Sequence, residues 1–295
     1  MNKRIFLTAV AYLIVCGNLL AQDFSNVVIE EVEVTPNIFY LKGRGGNVGL
    51  LSWEGGNLIV DSQFKPLGDK LKAKINEISG NKTKYLINSH FHGDHLGGNA
   101  NWSAEGVSII AHENVRARVQ MNFRNEILKR DVKAQPEEVW PVITFSENMS
   151  LYVGEERVNI VFIPSAHTDG DALIHFASSN VIHTGDVFVR YGYPFIDVSA
   201  GGSIDGIIEG LDKIIELSDA DTKIIPGHGE LATREDVKKL KDVLSDSRAI
   251  ISKLKDQGKS LDDILTLKPL AKYDEQYSGS FINGQVFIQL VYESL

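Results

Sequence analysis

The chain has 295 residues, 43% hydrophobic and 23% charged, and its 30 Lys and Arg against 39 Asp and Glu give a formal charge of −9. Such a composition suits a globular protein that buries a sizeable core as one large domain or two small ones, with no internal repeat and no low-complexity stretch. Its acidity argues against a nucleic-acid partner, because a phosphate backbone is held by basic surfaces.

Residues 1–21 differ from the rest. Asn2-Lys3-Arg4 is a basic start, Ile5 to Val15 is apolar apart from Thr8, and Ala21 precedes Gln22 at a plausible cleavage point. This is the pattern of a secretory signal peptide. The apolar stretch is short for a membrane span, so a periplasmic or secreted 22–295 product is expected, with no stable membrane insertion after cleavage. Leu13-Ile14-Val15-Cys16 only faintly matches a lipoprotein cleavage box, since Val15 is bulky where a small residue is usual. Lipidation is therefore a minor alternative. Cys16 is the only cysteine, so cleavage would leave no disulfide, thiolate nucleophile or thiolate metal ligand. It would also leave 28 basic against 39 acidic side chains, a formal charge of −11.

After a short linker at Asp23-Phe24-Ser25, Val27–Val34 and Asn37–Leu41 read as strands, and 46–53 with 56–61 as a hairpin joined by Glu54-Gly55. Leu67, Leu71, Ile75 and Ile78 recur at three- to four-residue steps and predict a helix near 66–78. A strand over 84–89 and another over 107–111 follow. Val115, Val119, Phe123 and Ile127 form one stripe, which predicts a helix over 112–130. Strands are expected at 142–146, 149–153, 157–163, 171–177 and 180–184, helices near 204–217 and 232–256, and a docking helix within Phe281–Leu295. Strands, helix, strands, helix is an order that suits two sheets covered by helices on their outer faces.

The chemistry concentrates where apolar runs end. Lys84-Tyr85-Leu86-Ile87-Asn88 leads into His90-Phe91-His92-Gly93-Asp94-His95, three imidazoles and a carboxylate in one turn. Imidazole and carboxylate are the nitrogen and oxygen ligands that zinc and iron accept. Two further runs deliver His167 and Gly227-His228-Gly229, and a third, through His183-Thr184-Gly185, delivers Asp186. Residues at the ends of buried strands can converge on one edge of a sheet. The remaining histidines, His112, His175 and His183, lack neighbours of their own kind and read as structural.

His-x-His-x-Asp-His at 90–95, His167, Gly-Asp at 185–186, Gly-His-Gly at 227–229 and Asp61 at the end of Asn57-Leu58-Ile59-Val60 resemble, in order and spacing, the metallo-β-lactamase superfamily. The resemblance spans roughly residues 36–232. It implies an α/β fold, the αββα sandwich of two mixed sheets flanked by helices, as one domain over 22–295 with a helical extension from about 259. It places a first metal on His90, His92 and His167, a second on Asp94, His95 and His228, with Asp186 bridging them and Asp61 orienting the ligands from behind. Asp186 stands where the best-known zinc β-lactamases carry cysteine, which excludes their cysteine-ligated site.

The function implied is a secreted dinuclear zinc hydrolase, with iron or manganese as alternative metals. Its small-molecule substrate would be an ester, lactone, thioester or β-lactam-type amide, with Asp94 orienting the attacking water and passing its proton to the leaving group. A persulfide-dioxygenase type of iron oxygenase and a metallo-phosphodiesterase are the competing readings. Oligomeric state is open. Phe188–Asp197, immediately after Asp186, is expected to border the substrate pocket, with Arg190, Tyr191 and Tyr193 as candidate substrate contacts and the 116–141 region as the opposite wall.

Overall fold

The computed structural model describes residues 23–279 and 281–295; the signal-peptide pattern of 1–21, with Cys16, lies outside the described residues. The first half opens with β1 (Glu30–Thr35), β2 (Ile38–Lys42), β3 (Val48–Trp53) and β4 (Gly56–Val60), paired antiparallel in succession. Helix α1 (Gly68–Ser79) then crosses over to β5 (Thr83–Ile87), which pairs parallel with β4. Two short helices, α2 (Gly93–Leu96) and α3 (Asn99–Ser103), precede β6 (Ser108–His112), parallel to β5. Helix α4 (Glu113–Val119) and a separate two-stranded ribbon, β7 (Phe123–Asn125) with β8 (Arg130–Val132), lead to β9 (Ile143–Phe145), which completes a seven-stranded mixed sheet at its β6 edge.

The second half forms a five-stranded sheet in sequence order: β10 (Asn148–Val153), β11 (Glu156–Ile163), β12 (Asp171–Phe176), β13 (Val181–His183) and β14 (Lys223–Ile225). The first three pairings are antiparallel and the last is parallel, with α5 (Ile204–Leu217) as the crossover. Helices α6 (Arg234–Asp256), α7 (Leu261–Leu267), α8 (Ala271–Tyr277) and α9 (Gly284–Ser294) close the chain. The docking helix expected within 281–295 is α9, capped by the Asn283 side chain on the Val286 amide.

Two-residue alternation explains the layering. Ile38, Tyr40, Leu51, Leu58, Val60, Ile87 and Ile110 meet Val158, Ile160, Ile174, Phe176 and Ile225 between the sheets. Their neighbours Leu41, Leu50, Ile59, Leu86 and Ile109 turn outward onto Leu71, Ile75 and Trp102 of α1 and α3. On the other side Leu173, Ile182 and Ile224 meet Ile207, Leu211, Leu244, Phe287 and Leu290 from α5, α6 and α9. Both faces of the central strands are thus apolar and buried, as parallel strands in a covered sheet require. Each fully buried Leu or Ile contributes about 1.5–3 kcal/mol. The architecture is the two-sheet sandwich flanked by helices that the sequence implies.

The helix expected over 112–130 stops at Val119, and its second half is the β7–β8 ribbon. Side-chain hydrogen bonds replace the helical ladder there: Asn125 Oδ1 accepts the Leu128 amide at 2.8 Å, Asn122 Oδ1 accepts the Ala134 amide at 3.0 Å, and Lys129 adopts φ 50°. Asn competes for backbone groups in this way, and such competition ends helices. Phe123 still packs beside Phe91, with ring centroids 5.6 Å apart, so the apolar stripe is buried by a different local structure.

Candidate metal centre

β4 and β5 run parallel, and β11, β13 and β14 share one direction because β11 and β13 both oppose β12 while β14 follows β13. The loops leaving their carboxyl ends carry Asp61, His90–His95, His167, Asp186 and His228. All seven histidine and aspartate side chains anticipated as ligands converge. His90, His92 and His167 offer ligand atoms within 4.8 Å of one another, and so do Asp94, His95 and His228; Asp186 groups in the same way with His90 and His95. His167 Nε2 lies 2.8 Å from His92 Nδ1, and His95 Nε2 lies 3.3 Å from His228 Nε2. Asp186 sits between the groups, its Oδ1 3.2 Å from His95 and its Oδ2 3.6 Å from His167 and 3.5 Å from His228. Asp94 Oδ2 is 3.3 Å from His228 Nε2.

The far side of four of the five rings, those of His90, His92, His95 and His167, is held. Asp61 Oδ2 binds His95 Nδ1 at 2.8 Å and also the Ser89 hydroxyl at 2.7 Å, while Asp61 Oδ1 takes the Ser89 amide. The Ser89 oxygen in turn lies 3.0 Å from His90 Nδ1. His167 Nδ1 meets the Phe195 carbonyl at 2.8 Å, and His92 Nε2 meets Asp197 Oδ2 at 2.9 Å. Each bond directs the other ring nitrogen inward, as partners behind a metal-ligating histidine do.

Local backbone makes this convergence possible. Asp61, Gln63 and Ser165 adopt φ of 66°, 62° and 52°, a left-handed region that non-glycine residues enter at a cost of order 1–3 kcal/mol. Asp61 thereby leaves the β4 direction and turns its carboxylate toward Ser89 and His95. Gly46 and Gly227 serve close approach: a Cβ on Gly46 would collide with the His95 ring, and one on Gly227 with Asp186 Oδ1 and the Gly185 backbone.

Electrostatics divide the cluster. Burial, reinforced by the neighbouring His95 and His167, holds His90 well below the usual histidine range; burial and His92 push His167 down to about 4. These rings present neutral lone pairs at neutral pH. Burial also disfavours charge on His95 and His228, yet Asp186 and Asp94 outweigh it, raising His95 well above the ordinary value and His228 to about 9. Against their own burial, Asp94 and Asp186 are held below the carboxylate range by those imidazoles.

A cation resolves what protein groups leave unsatisfied. His90 Nε2 is buried without a hydrogen-bond partner, and Asp186 Oδ1, although near His95, meets no donor in bonding geometry. Buried polar atoms are rarely left so. Both face the convergence point, and a donor set of imidazole and carboxylate matches zinc or iron better than the harder calcium or magnesium. The residues fit a metal centre.

A cavity of about 670 Å³ opens above the centre, lined at its base by His92, Asp94, His167, Asp186 and His228 and around its walls by Phe64, Phe91, Phe123, Leu128, Tyr191, Phe195 and Phe281. The expected opposite wall is real, but it is made by the ribbon rather than by a helix. Tyr191 lies on the wall with its ring 5.5 Å from His228 and 6.2 Å from Phe281. Its hydroxyl accepts the Phe195 amide at 3.4 Å, and burial plus the nearby Asp186 keep it protonated well above 10.

The structure corrects two of the candidate substrate contacts. Tyr193 is fully buried in the core, stacked 4.3 Å from Phe287 and bonded through its hydroxyl to Asp274, so it faces away from the cavity. Arg190 donates to the Leu231 carbonyl at 2.5 Å and lies 3.6 Å from Asp236, bracing the loop after His228 rather than lining the cavity. His112, His175 and His183 lie outside the metal groups. His112 caps α4 and stacks on Phe162, and His183 bridges the Asn47 carbonyl and the Gly185 amide. Sequence reasoning missed Asp197, Asn125 and Phe281. Asp197 lies in the 188–197 stretch and Asn125 in the 116–141 region, both expected to border the pocket, but nothing in the sequence singled out either side chain, and Phe281 was placed only in the C-terminal docking helix.

A sequence model for the metallo-beta-lactamase superfamily matches residues 41–228. Among solved structures, a metallo-beta-lactamase from Pontibacter korlensis aligns with TM-score 0.61 at 14% identity, over 74% of this chain and 99% of its own. The DIM-1 metallo-beta-lactamase aligns with TM-score 0.61 at 16% identity, over 75% and 99%. The stereoselective inverting sec-alkylsulfatase Pisa1 from Pseudomonas sp. aligns with TM-score 0.66 at 15% identity, over 90% of this chain and 50% of its own. At these identities the structures bear on the fold alone.

Proposed function

Because this chain belongs to the metallo-β-lactamase superfamily, we propose that it is an exported dinuclear zinc hydrolase acting on a small, largely apolar substrate through a carboxyl-type bond: an ester, lactone, thioester or β-lactam amide. The observation that carries this reading is two N/O donor groups sharing the region of Asp186 at the base of an aromatic cavity. His90, His92 and His167 would hold one metal, Asp94, His95 and His228 the other, and Asp186 would bridge them. Two divalent metals in such a site supply Lewis acidity toward the scissile carbonyl and a nucleophile at neutral pH.

The chain's own groups divide the remaining work. Asp94, 28% exposed toward the cavity, is the carboxylate that orients an attacking water and carries its proton to the leaving atom. The Tyr191 hydroxyl, protonated at every physiological pH, retains a donor for a substrate oxygen. Phe64, Phe91, Phe123, Phe195 and Phe281 exclude water and bind the apolar body of the substrate. No group of the site requires a serine or cysteine nucleophile. The 1–21 signal pattern supports export to the periplasm or medium. No described helix is long and apolar enough to cross a membrane.

The test is elemental mass spectrometry of the purified 22–295 protein, with hydrolysis of a chromogenic cephalosporin, a lactone and a bis-aryl phosphate measured beside it. Near two zinc per chain and turnover of a carboxyl-type substrate are expected, and His92→Ala and Asp94→Ala each lose metal and activity together. Mainly iron with oxygen consumption and no hydrolysis overturns the hydrolase reading, and preference for the phosphodiester overturns the substrate class.

A further inference from the structure

The segment Phe195–Asp197 touches two of the three imidazoles that would form the first metal subsite. The Phe195 carbonyl takes His167 Nδ1 at 2.8 Å, Asp197 Oδ2 takes His92 Nε2 at 2.9 Å, and the Asp197 amide donates to the His167 carbonyl at 2.9 Å. Asp197 is 1% exposed, so its carboxylate is withdrawn from water and committed to these bonds. Its second oxygen accepts the Ser199 hydroxyl at 2.6 Å and Asn125 Nδ2 at 2.9 Å.

Asn125 belongs to a distant part of the chain, 72 residues away, and is itself 4% exposed. Both ends of its amide are used: Nδ2 on Asp197, and Oδ1 on the Leu128 amide at 2.8 Å, which shapes the turn between β7 and β8. That ribbon presents Phe123 and Leu128 to the cavity. A continuous path of three side chains therefore runs from the cavity wall to the metal-facing edge of His92: Asn125, Asp197, His92.

We propose that Asp197 is a positioning residue for His92, and that Asn125 makes the 123–132 ribbon part of the same support, so that occupancy of the first metal subsite and ordering of this cavity wall are coupled. The inference rests on the metal-centre reading above and goes beyond it. An imidazole bonded at Nε2 to a carboxylate presents Nδ1 in one orientation and gains basicity; without that partner the ring turns freely and its ligating nitrogen is shared with water. Coupling is reciprocal: whatever stabilises the ribbon tightens the metal, and the metal steadies the ribbon by the same factor.

The experiment titrates zinc into metal-free protein against a chromophoric chelator, using wild type, Asp197→Asn, Asp197→Ala, Asn125→Ala and, as a fold control, Arg118→Met. Arg118 pairs with Asp169 on the loop after His167 but touches none of the ligands. The Asp197 variants are expected to lose roughly 10- to 100-fold in affinity for one zinc equivalent, with the other little changed. Asn125→Ala should lose less, because Ser199 still holds Asp197, and Arg118→Met should bind as wild type. Cobalt substitution should show altered d–d bands in the Asp197 variants only. Hydrogen exchange at the Leu128 amide should slow on adding zinc to wild type and not to Asn125→Ala. Folded Asp197→Asn protein with wild-type affinity and cobalt spectrum, or a wild-type ribbon indifferent to zinc, overturns the proposal alone. Failure of wild type to bind zinc overturns the metal-centre reading along with it.

Discussion

The base and the wall of the cavity are built on opposite principles. At the base, His90, His95, Asp61 and Ser89 are fully buried and tied to one another, on loops leaving the ends of central strands. At the wall, Phe281 is 56% exposed, Leu128 is 38% exposed, and the ribbon that carries Leu128 joins neither main sheet. The base is held by many mutual bonds, whereas the ribbon of the wall joins neither main sheet and meets the base through the Asn125–Asp197 bond.

The sharpest way to break the comparison is Gly227→Ala. The added methyl group meets Asp186 and the Gly185 backbone, neither of which can move cheaply. We expect a loss of about 3 kcal/mol, of the order found for overpacked cores, and zinc stoichiometry below two, read by denaturant unfolding and elemental analysis. A tolerated alanine would mean that the base is softer than its packing indicates.

Asp171 probes the base by pH. Burial pushes its carboxyl up to about 7, although it accepts the Thr168 amide and hydroxyl beside His167. The unfolded carboxyl sheds its proton near 3.8 and the folded one keeps it to about 7. Its contribution to stability is therefore complete below 3.8 and lost as pH rises through 7. The slope is about 1.4 kcal/mol per pH unit, about 4 kcal/mol in all. Unfolding of metal-free wild type and Asp171→Asn between pH 4 and 8 isolates it as a difference; parallel curves would place the proton elsewhere.

The wall should respond more mildly and differently. Phe281→Ala removes an exposed aromatic face with no hydrogen bond to the base, so KM for an apolar substrate should rise roughly tenfold with kcat and zinc content nearly unchanged, the signature of uniform binding. A fall in kcat would make Phe281 part of the base. The smallest effect belongs to Arg190→Met. Its guanidinium braces the Leu231 carbonyl and Asp236 outside the cavity, and a partly exposed pair of this kind contributes under about 1 kcal/mol. A large KM change for an anionic substrate would restore Arg190 to substrate binding.

How much could be read beforehand follows the same line between base and wall. The convergence of the candidate ligand residues and the strands that deliver them could be read beforehand, because each motif is local: an apolar run of strand length and a ligand type directly after it. The ribbon could not, since Val115, Val119, Phe123 and Ile127 keep helical spacing while Asn122 and Asn125 divert the backbone. Tyr191 and Tyr193 are two residues apart and chemically alike, yet one faces the cavity and the other Phe287.

By itself, the order of residues determined the donor set, the strands that deliver it and the two-sided burial of the central strands. Tertiary structure alone decided which face of each strand met the other sheet, which tyrosine met the cavity, and that Asn125, Asp197 and His92 would form one path. The reason is physical: metal-ligand motifs and strand periodicity are short-range properties of neighbouring residues, whereas a hydrogen bond between side chains 72 or 105 positions apart exists only after separate loops have been brought together by the packing of two sheets.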